Sequence, residues 1–456
     1  MADRLLSGPG LLAPIGLLGL LAGAAAAASP GLALAGVGTI VLLLLVVVRA
    51  DWLLLVLVAA LPWEDALAFP SETVTIVKLL GVLLFGAWCL RSLAGEERLR
   101  LPGVLLPVVL LGLAVGVSLV VSSDPAAGVL VAVRYGLFIV FFFLVIQLTE
   151  TLGEVTRIVR VVVISAALAA AWALYQFVVL GHARAGGPIA DPNDFAYVIA
   201  CMLPLSGYLL SAERGRRLLW AACFVLLVAA VLATLSRGAL VGLAALAVWG
   251  AVSRRIPIGG VALGLMALLG VIAVAFAAWA PILQDRIESK GRIADRNVGS
   301  RQAFWEGSLR MAADRPLVGV GPGGFGREAS DYVRDDPLGI DQPVVHNSYL
   351  EVLAELGLLG LLPFVAFLGA VWRLLGRARA RAVAAADDEG RRLTTAMQAT
   401  MVIAVVSAFF LSVQLTTPFW LVGALAAVVA GSGAYAERAA AVRRRTLPPA
   451  SVAARA

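Results

Sequence analysis

The chain is divided by apolar runs of about the length a helix needs to cross a bilayer, ~20 residues. They fall at 11–28, 31–48, 52–62, 74–90, 103–121, 129–148, 155–180, 195–211, 217–234, 238–252, 258–280, 348–372, 396–414 and 419–435. A backbone in hydrocarbon must satisfy its own polar groups, and a helix does so within one segment. The runs therefore predict an all-α fold, a polytopic membrane helical bundle. Segment 52–62 is too short for an upright span and 238–252 is marginal, so the expected count is about twelve to fourteen transmembrane helices. Composition agrees: 61% of the 456 residues are hydrophobic and 14% charged, against ~45–50% and ~25% in soluble domains. Cys89, Cys201 and Cys223 all lie in apolar runs with no CxxC spacing, and the chain has two histidines. Neither a disulfide framework nor a metal cluster is suggested.

The 36 Lys and Arg against 29 Asp and Glu give a net charge of +7, a surplus that in a soluble protein would suggest nucleic acid or an anionic surface. Here its distribution reports topology. With a cytoplasmic N-terminus, 23 basic residues fall in inside segments, while the short outside loops hold two, Arg184 and Arg237. That is the positive-inside asymmetry of a multi-pass protein, with both termini cytoplasmic and no nucleic-acid partner. Arg4, an apolar run and the small residues 24–29 have the outline of a signal peptide, but the run's length and the next span favour a retained helix. The expected organisation is N-terminal transmembrane helices at 1–280, one long extracytoplasmic loop with short helices at 281–347, C-terminal helices at 348–435 and a cytoplasmic tail at 436–456.

The long loop carries nine basic and ten acidic residues and is therefore about neutral. In GSRQAFWEGSLRMAADRPL (299–317), Phe304, Trp305, Leu309 and Ala312 recur near helical spacing and Pro316 ends the pattern. This predicts an amphipathic helix lying on the outer membrane surface, with Arg301 and Trp305 on one face. GVGPGGFG (319–326) has the spacing of a dinucleotide fingerprint, but that motif needs a strand before it and a helix after it. Tight turns explain it better. Asp331, Asp335, Asp336 and Asp341 read as a solvated face. In HNSYLEVLAELGLLGLL (346–362), Ser348 and Glu351 suggest a capping box and a helix start close to His346. The helix dipole would then hold the imidazole neutral. From position alone His346 is either a general base or a surface histidine bonded to a loop carbonyl.

Arg237 sits in LSRGAL between two spans, and an arginine so close to hydrocarbon needs a partner or a function. Together with Arg184 and Arg301 it could clamp a pyrophosphate or serve as an interfacial anchor. Within the spans, Glu355 suggests a structural ion pair with Arg134 or Lys78. His182 has no sequence context that supports chemistry.

RAGGPIADPNDFA, LSRGALVGL, GSRQAFWEGSLRMAADRPLVGVGPGGF and HNSYLEVLAELGLLGLL, in this order and spacing over 184–362, resemble the bacterial O-antigen ligase and O-antigen polymerase family. The resemblance implies a GT-C type inner-membrane glycosyltransferase acting outside the cytoplasm. Such an enzyme moves a glycan from an undecaprenyl-pyrophosphate-linked donor to an acceptor hydroxyl and uses no cofactor, metal or nucleotide sugar. It also implies that Arg237, Arg301 and His346 are catalytic, and that Arg184, Asn193, Trp305 and Asn347 in the same motifs contact substrate. Three acceptors fit: another lipid-linked glycan (polymerase, the leading reading), lipid A core (ligase) or a protein side chain. A lipid-linked glycan flippase or transporter would instead show repeats and a midplane site, and a membrane scaffold would tolerate replacement of these residues.

Overall fold

The computed structural model describes residues 50–68, 75–95, 99–255, 299–334 and 343–431. The runs predicted at 11–28, 31–48 and 258–280, the tail 436–456, and Asp335, Asp336 and Asp341 lie outside the described residues. Within them the regular structure is helical, apart from one β-bridge between Ala68 and Thr75. The helices are α1 (Ala50–Ala60), α2 (Ile76–Leu93), α3 (Leu105–Val121), α4 (Pro125–Leu148), α5 (Leu152–Val178), α6 (Pro192–Ala212), α7 (Arg217–Ala233), α8 (Arg237–Ser253), α9 (299–314), α10 (Gly324–Tyr332), α11 (Ser348–Ala384), α12 (Asp388–Ser407) and α13 (Thr417–Gly431). Among the described residues six segments are long and apolar enough to cross a membrane: α2, α4, α5, α6, α7 with its preceding 3-10 turn, and α11. This is a multi-pass membrane bundle.

Local signals set the helix starts. Asp124 caps α4 through Ala127 N at 3.0 Å and Asp191 caps α6 through Asn193 N at 2.7 Å, each with proline at the first helical position, where its missing N–H costs nothing. Thr151 and Glu154 form a capping box on α5. Residues 417–430 of α13 are all buried, so α13 is the hub of the core. Trp420 stacks on Phe367 at 5.5 Å and Phe142 meets Phe367 edge-on at 5.6 Å. On α3, by contrast, Leu106, Leu113 and Val120 are 60% exposed or more, a face that needs lipid rather than water.

One end of the bundle collects arginines that predicted topology assigned to inside loops. Arg160 pairs with Glu213, Arg255 donates to Gln398 Oε1 at 2.8 Å, and Arg392 donates to Ser211 O at 2.9 Å. The opposite end carries the motifs described above.

Three expectations change. The helix at 348–372 runs on to Ala384, and the one expected at 396–414 starts at Asp388 and stops at Ser407. Helix α9 lies on protein as well as at the surface: Phe304 and Met311 pack with Val320, Phe325, Val345 and Ala354, while Leu309 is 52% exposed. The capping box on α11 is absent. Asn347 is the cap, with its Oδ1 accepting from Tyr349 N and Leu350 N at 3.0 and 3.1 Å, and Glu351 turns away to Ser412 Oγ and Gln414 Nε2.

Helix α11 breaks at Gly357, where φ is 62°. Buried backbone groups freed by a break must find other partners, and the glycine-rich loop supplies them. Leu358 N and Leu359 N donate to Pro316 O and Leu317 O at 2.8 and 3.0 Å, and Val320 N and Gly321 N donate to Ala354 O and Glu355 O at 3.0 and 2.9 Å. A Cβ on Gly319 would lie 2.3 Å from the Glu355 carbonyl carbon, so the loop can approach only without a side chain there. The glycines are tight turns, as expected, and they seal a broken helix.

Candidate functional site

The site is assembled from the ends of α6, α7, α8, α11 and α12 together with α9. Its centre is the turn 408–411. Ser348 N donates to Ala408 O and Leu411 O at 2.8 and 3.0 Å, Arg301 Nη1 donates to Phe410 O at 3.4 Å, and a Cβ on Gly238 would sit 3.4 Å from both Phe410 and Leu411. Arg301, the residue after Arg237 and the second residue after His346 therefore close on one turn. The charges agree with this convergence, since Arg301 acts electrostatically on His346 and Arg237 on Arg301.

His346 adopts φ 52°, a left-handed conformation rare outside glycine and a mark of functional sites when the surroundings enforce it. Here Val345 is held on one side, its carbonyl accepting from Trp305 Nε1 at 3.1 Å, and Asn347 is fixed as the helix cap on the other. Burial pushes the imidazole down from 6.5 to about 4, the Arg301 cation pushes the same way, and Asp191 opposes both. The imidazole is neutral at neutral pH, as predicted. The causes are burial and a neighbouring guanidinium rather than a helix terminus.

Arg184 is braced by two acceptors, Thr234 O from Nε and Asn193 Oδ1 from Nη2, each at 2.7 Å. Burial lowers the basicity of both Arg184 and Arg301, Asp191 counteracts this, and each arginine also feels another, Arg184 through Arg301 and Arg301 through Arg237. Arginine remains charged through such shifts, so the site holds cations near one another with little opposing charge. Arg237 is exposed at the first position of α8. Three of the expected substrate contacts hold the site's own residues: Asn193 holds Arg184, Trp305 holds the Val345 carbonyl and Asn347 caps α11.

Glu355, expected to pair with Arg134 or Lys78, is bound by backbone N–H groups. Its carboxylate accepts from Gly323 N at 2.9 Å and Phe325 N at 3.3 Å, fixing the start of α10. Asp191, whose charge reaches Arg184, Arg301 and His346, is the residue that sequence reasoning passed over. Its DPN context announces only a helix cap. Among the described residues no group of three His, Cys, Asp or Glu is arranged to hold a metal ion.

No curated protein matches the chain. Residues 222–365 match the family model described as O-antigen ligase. The matched segment spans about a third of the chain and includes Arg237, Arg301 and His346, but not Arg184. Through it the chain is similar to the O-antigen ligase family.

Proposed function

We propose that this membrane glycan transferase takes an undecaprenyl-pyrophosphate-linked glycan as donor and passes it to an acceptor hydroxyl at the extracytoplasmic face of the inner membrane. Arg237 and Arg301 bind the donor pyrophosphate and offset the charge that builds on it as the glycosidic bond breaks. His346 takes the proton of the acceptor hydroxyl as its oxygen bonds to the anomeric carbon. The bonding electrons leave with the pyrophosphate, and a single displacement needs no protein nucleophile. Arg184 with Asn193 lies beside the cation cluster as a further donor contact. Because Arg301 helps keep His346 neutral, a pyrophosphate seated on Arg301 offsets that cation and raises the imidazole's basicity when donor is present.

The observation that carries this reading is the closure of Gly238, Arg301 and Ser348 on the turn 408–411, which gathers two guanidinium groups and a neutral imidazole at one end of the bundle. A transporter would be expected to gather its polar groups at mid-depth. Our leading acceptor is a second lipid-linked glycan, making the chain a surface-polysaccharide polymerase. The test is transfer by purified protein on a lipid-linked oligosaccharide. His346→Ala, Arg237→Ala and Arg301→Ala should each fold and insert while losing at least ~10²-fold in rate, and Arg→Lys should not restore it. Full activity of His346→Ala would overturn the assignment of the base.

A further inference from the structure

At the end of the bundle opposite the site, α8 and α11 both pack on α12. They meet across it where Trp249 of α8 touches Trp372 of α11 edge-on at 6.2 Å. Farther toward that end, six residues past Trp249 and seven past Trp372, come Arg255 and Arg379. Arg255 leans back over the Trp249 ring, its guanidinium carbon 5.8 Å from the ring centre, and donates to Gln398 Oε1 at 2.8 Å. Arg379 donates to Thr395 Oγ1 at 3.3 Å and feels the charges of Arg255 and Arg391. Arg391, Thr395 and Gln398 are spaced i, i+4 and i+7 on α12, which is one face of a helix. Three guanidinium groups therefore gather along one stripe of α12, next to a pair of tryptophans.

Only one of the three is neutralised. Arg391 pairs with Asp388 at 2.8 Å. Arg255 and Arg379 have neutral oxygen partners, and among the described residues neither meets a carboxylate. Their remaining N–H donors match the oxygens of a phosphate. Gly376 falls between Trp372 and Arg379 on the same face of α11, and a Cβ there would meet nothing within 4 Å. The space between the aromatic ring and the cation is therefore open. Tryptophan favours the depth of lipid headgroups, and deeper along the two helices Val241, Leu362 and Val365 are exposed apolar side chains. Basic sites between transmembrane helices are suited to anionic headgroups. We infer that this place binds one anionic phospholipid, its phosphate on Arg255 and Arg379, its glycerol beside Gly376 and the tryptophans, and its acyl chains along α8 and α11. A lipid fits better than a free phosphate because the cations adjoin an aromatic and apolar floor. The lipid would bridge the helix that begins at Arg237 and the helix that follows His346, yet its binding does not depend on the glycan chemistry.

The test is native mass spectrometry of the full chain, stripped of lipid in detergent and titrated with dioleoyl phosphatidylglycerol. Wild type should bind one molecule ahead of all others, and in preference to phosphatidylcholine. Arg255→Gln with Arg379→Gln should weaken that molecule at least ~10-fold, as expected when charge-assisted contacts to a phosphate are lost. Arg214→Gln with Arg217→Gln removes the same charge from exposed arginines at the same end and should leave it bound as in wild type. Gly376→Leu should fill the open space and expel the lipid, while the thermal midpoint without lipid does not fall, since leucine is the better helix former. Equal losses in the two arginine pairs would show diffuse surface charge instead of a site. That result, undiminished binding by Gly376→Leu, or displacement of the lipid by inorganic phosphate at equal concentration would overturn the proposal.

Discussion

The neutral state of His346 can be tested directly because the chain has only one other histidine, the exposed His182. In a His182→Gln background labelled with 15N-histidine, the remaining imidazole signal belongs to His346. The structure puts its midpoint at about 4, against 6.5 for an ordinary histidine. At pH 5.5 this corresponds to about 3% protonated rather than about 90%, a difference the ring nitrogen shifts resolve. The same displacement links to stability. The unfolded chain binds a proton at His346 below about 6.5 and the folded chain does not until about 4, so stability is complete above 6.5 and falls by about 3 kcal/mol in all as pH drops through that window. Replacing Arg301 with Gln removes one cause but not the larger one, burial. The midpoint should rise without reaching 6.5. Adding a polyprenyl pyrophosphate to the unsubstituted protein should also raise it. A midpoint at or above 6 without ligand, or one that Arg301→Gln leaves unmoved, would refute the electrostatic account of the site.

Two further substitutions separate architecture from chemistry. Gly357→Ala places a Cβ 2.3 Å from the Leu317 carbonyl at φ 62° and should cost a few kcal/mol, lowering the thermal midpoint in detergent and transfer together. Gly369→Ala on the same helix meets nothing within 4 Å and should be neutral or stabilising by up to ~1 kcal/mol. Asn347→Ala should cost about 1 kcal/mol for the lost cap, whereas Asn347→Asp keeps the acceptor. Transfer rates that fall equally in both Asn347 variants would show a substrate contact beyond the cap.

What the sequence made legible follows from the range over which each force acts. Span positions came from apolar run length, because that signal is local, but α4, α5 and α6 start a few residues before their runs, at caps formed by Asp124, Thr151 and Asp191. The site residues were reached through motif resemblance and sidedness, both linear properties of the chain. The misreadings share one cause. Ser348 looked like a cap because the pattern of Ser348 and Glu351 is local, but Glu351 is taken up by Ser412 and Gln414 some sixty residues later, and Asn347 caps in its place. Glu355 suggested an ion pair because buried carboxylates need partners. Its partners are backbone N–H groups of a loop that docks only because α11 breaks at Gly357. The low basicity of His346 likewise depends on Arg301, which comes near through the turn 408–411. None of the three motifs around Arg237, Arg301 and His346 contains that turn, so convergence on it could not be read from any of them singly. It follows that a substitution crowding Gly238 against Phe410 and Leu411 should disturb Arg301 and, through it, His346, although Gly238 carries no chemistry of its own.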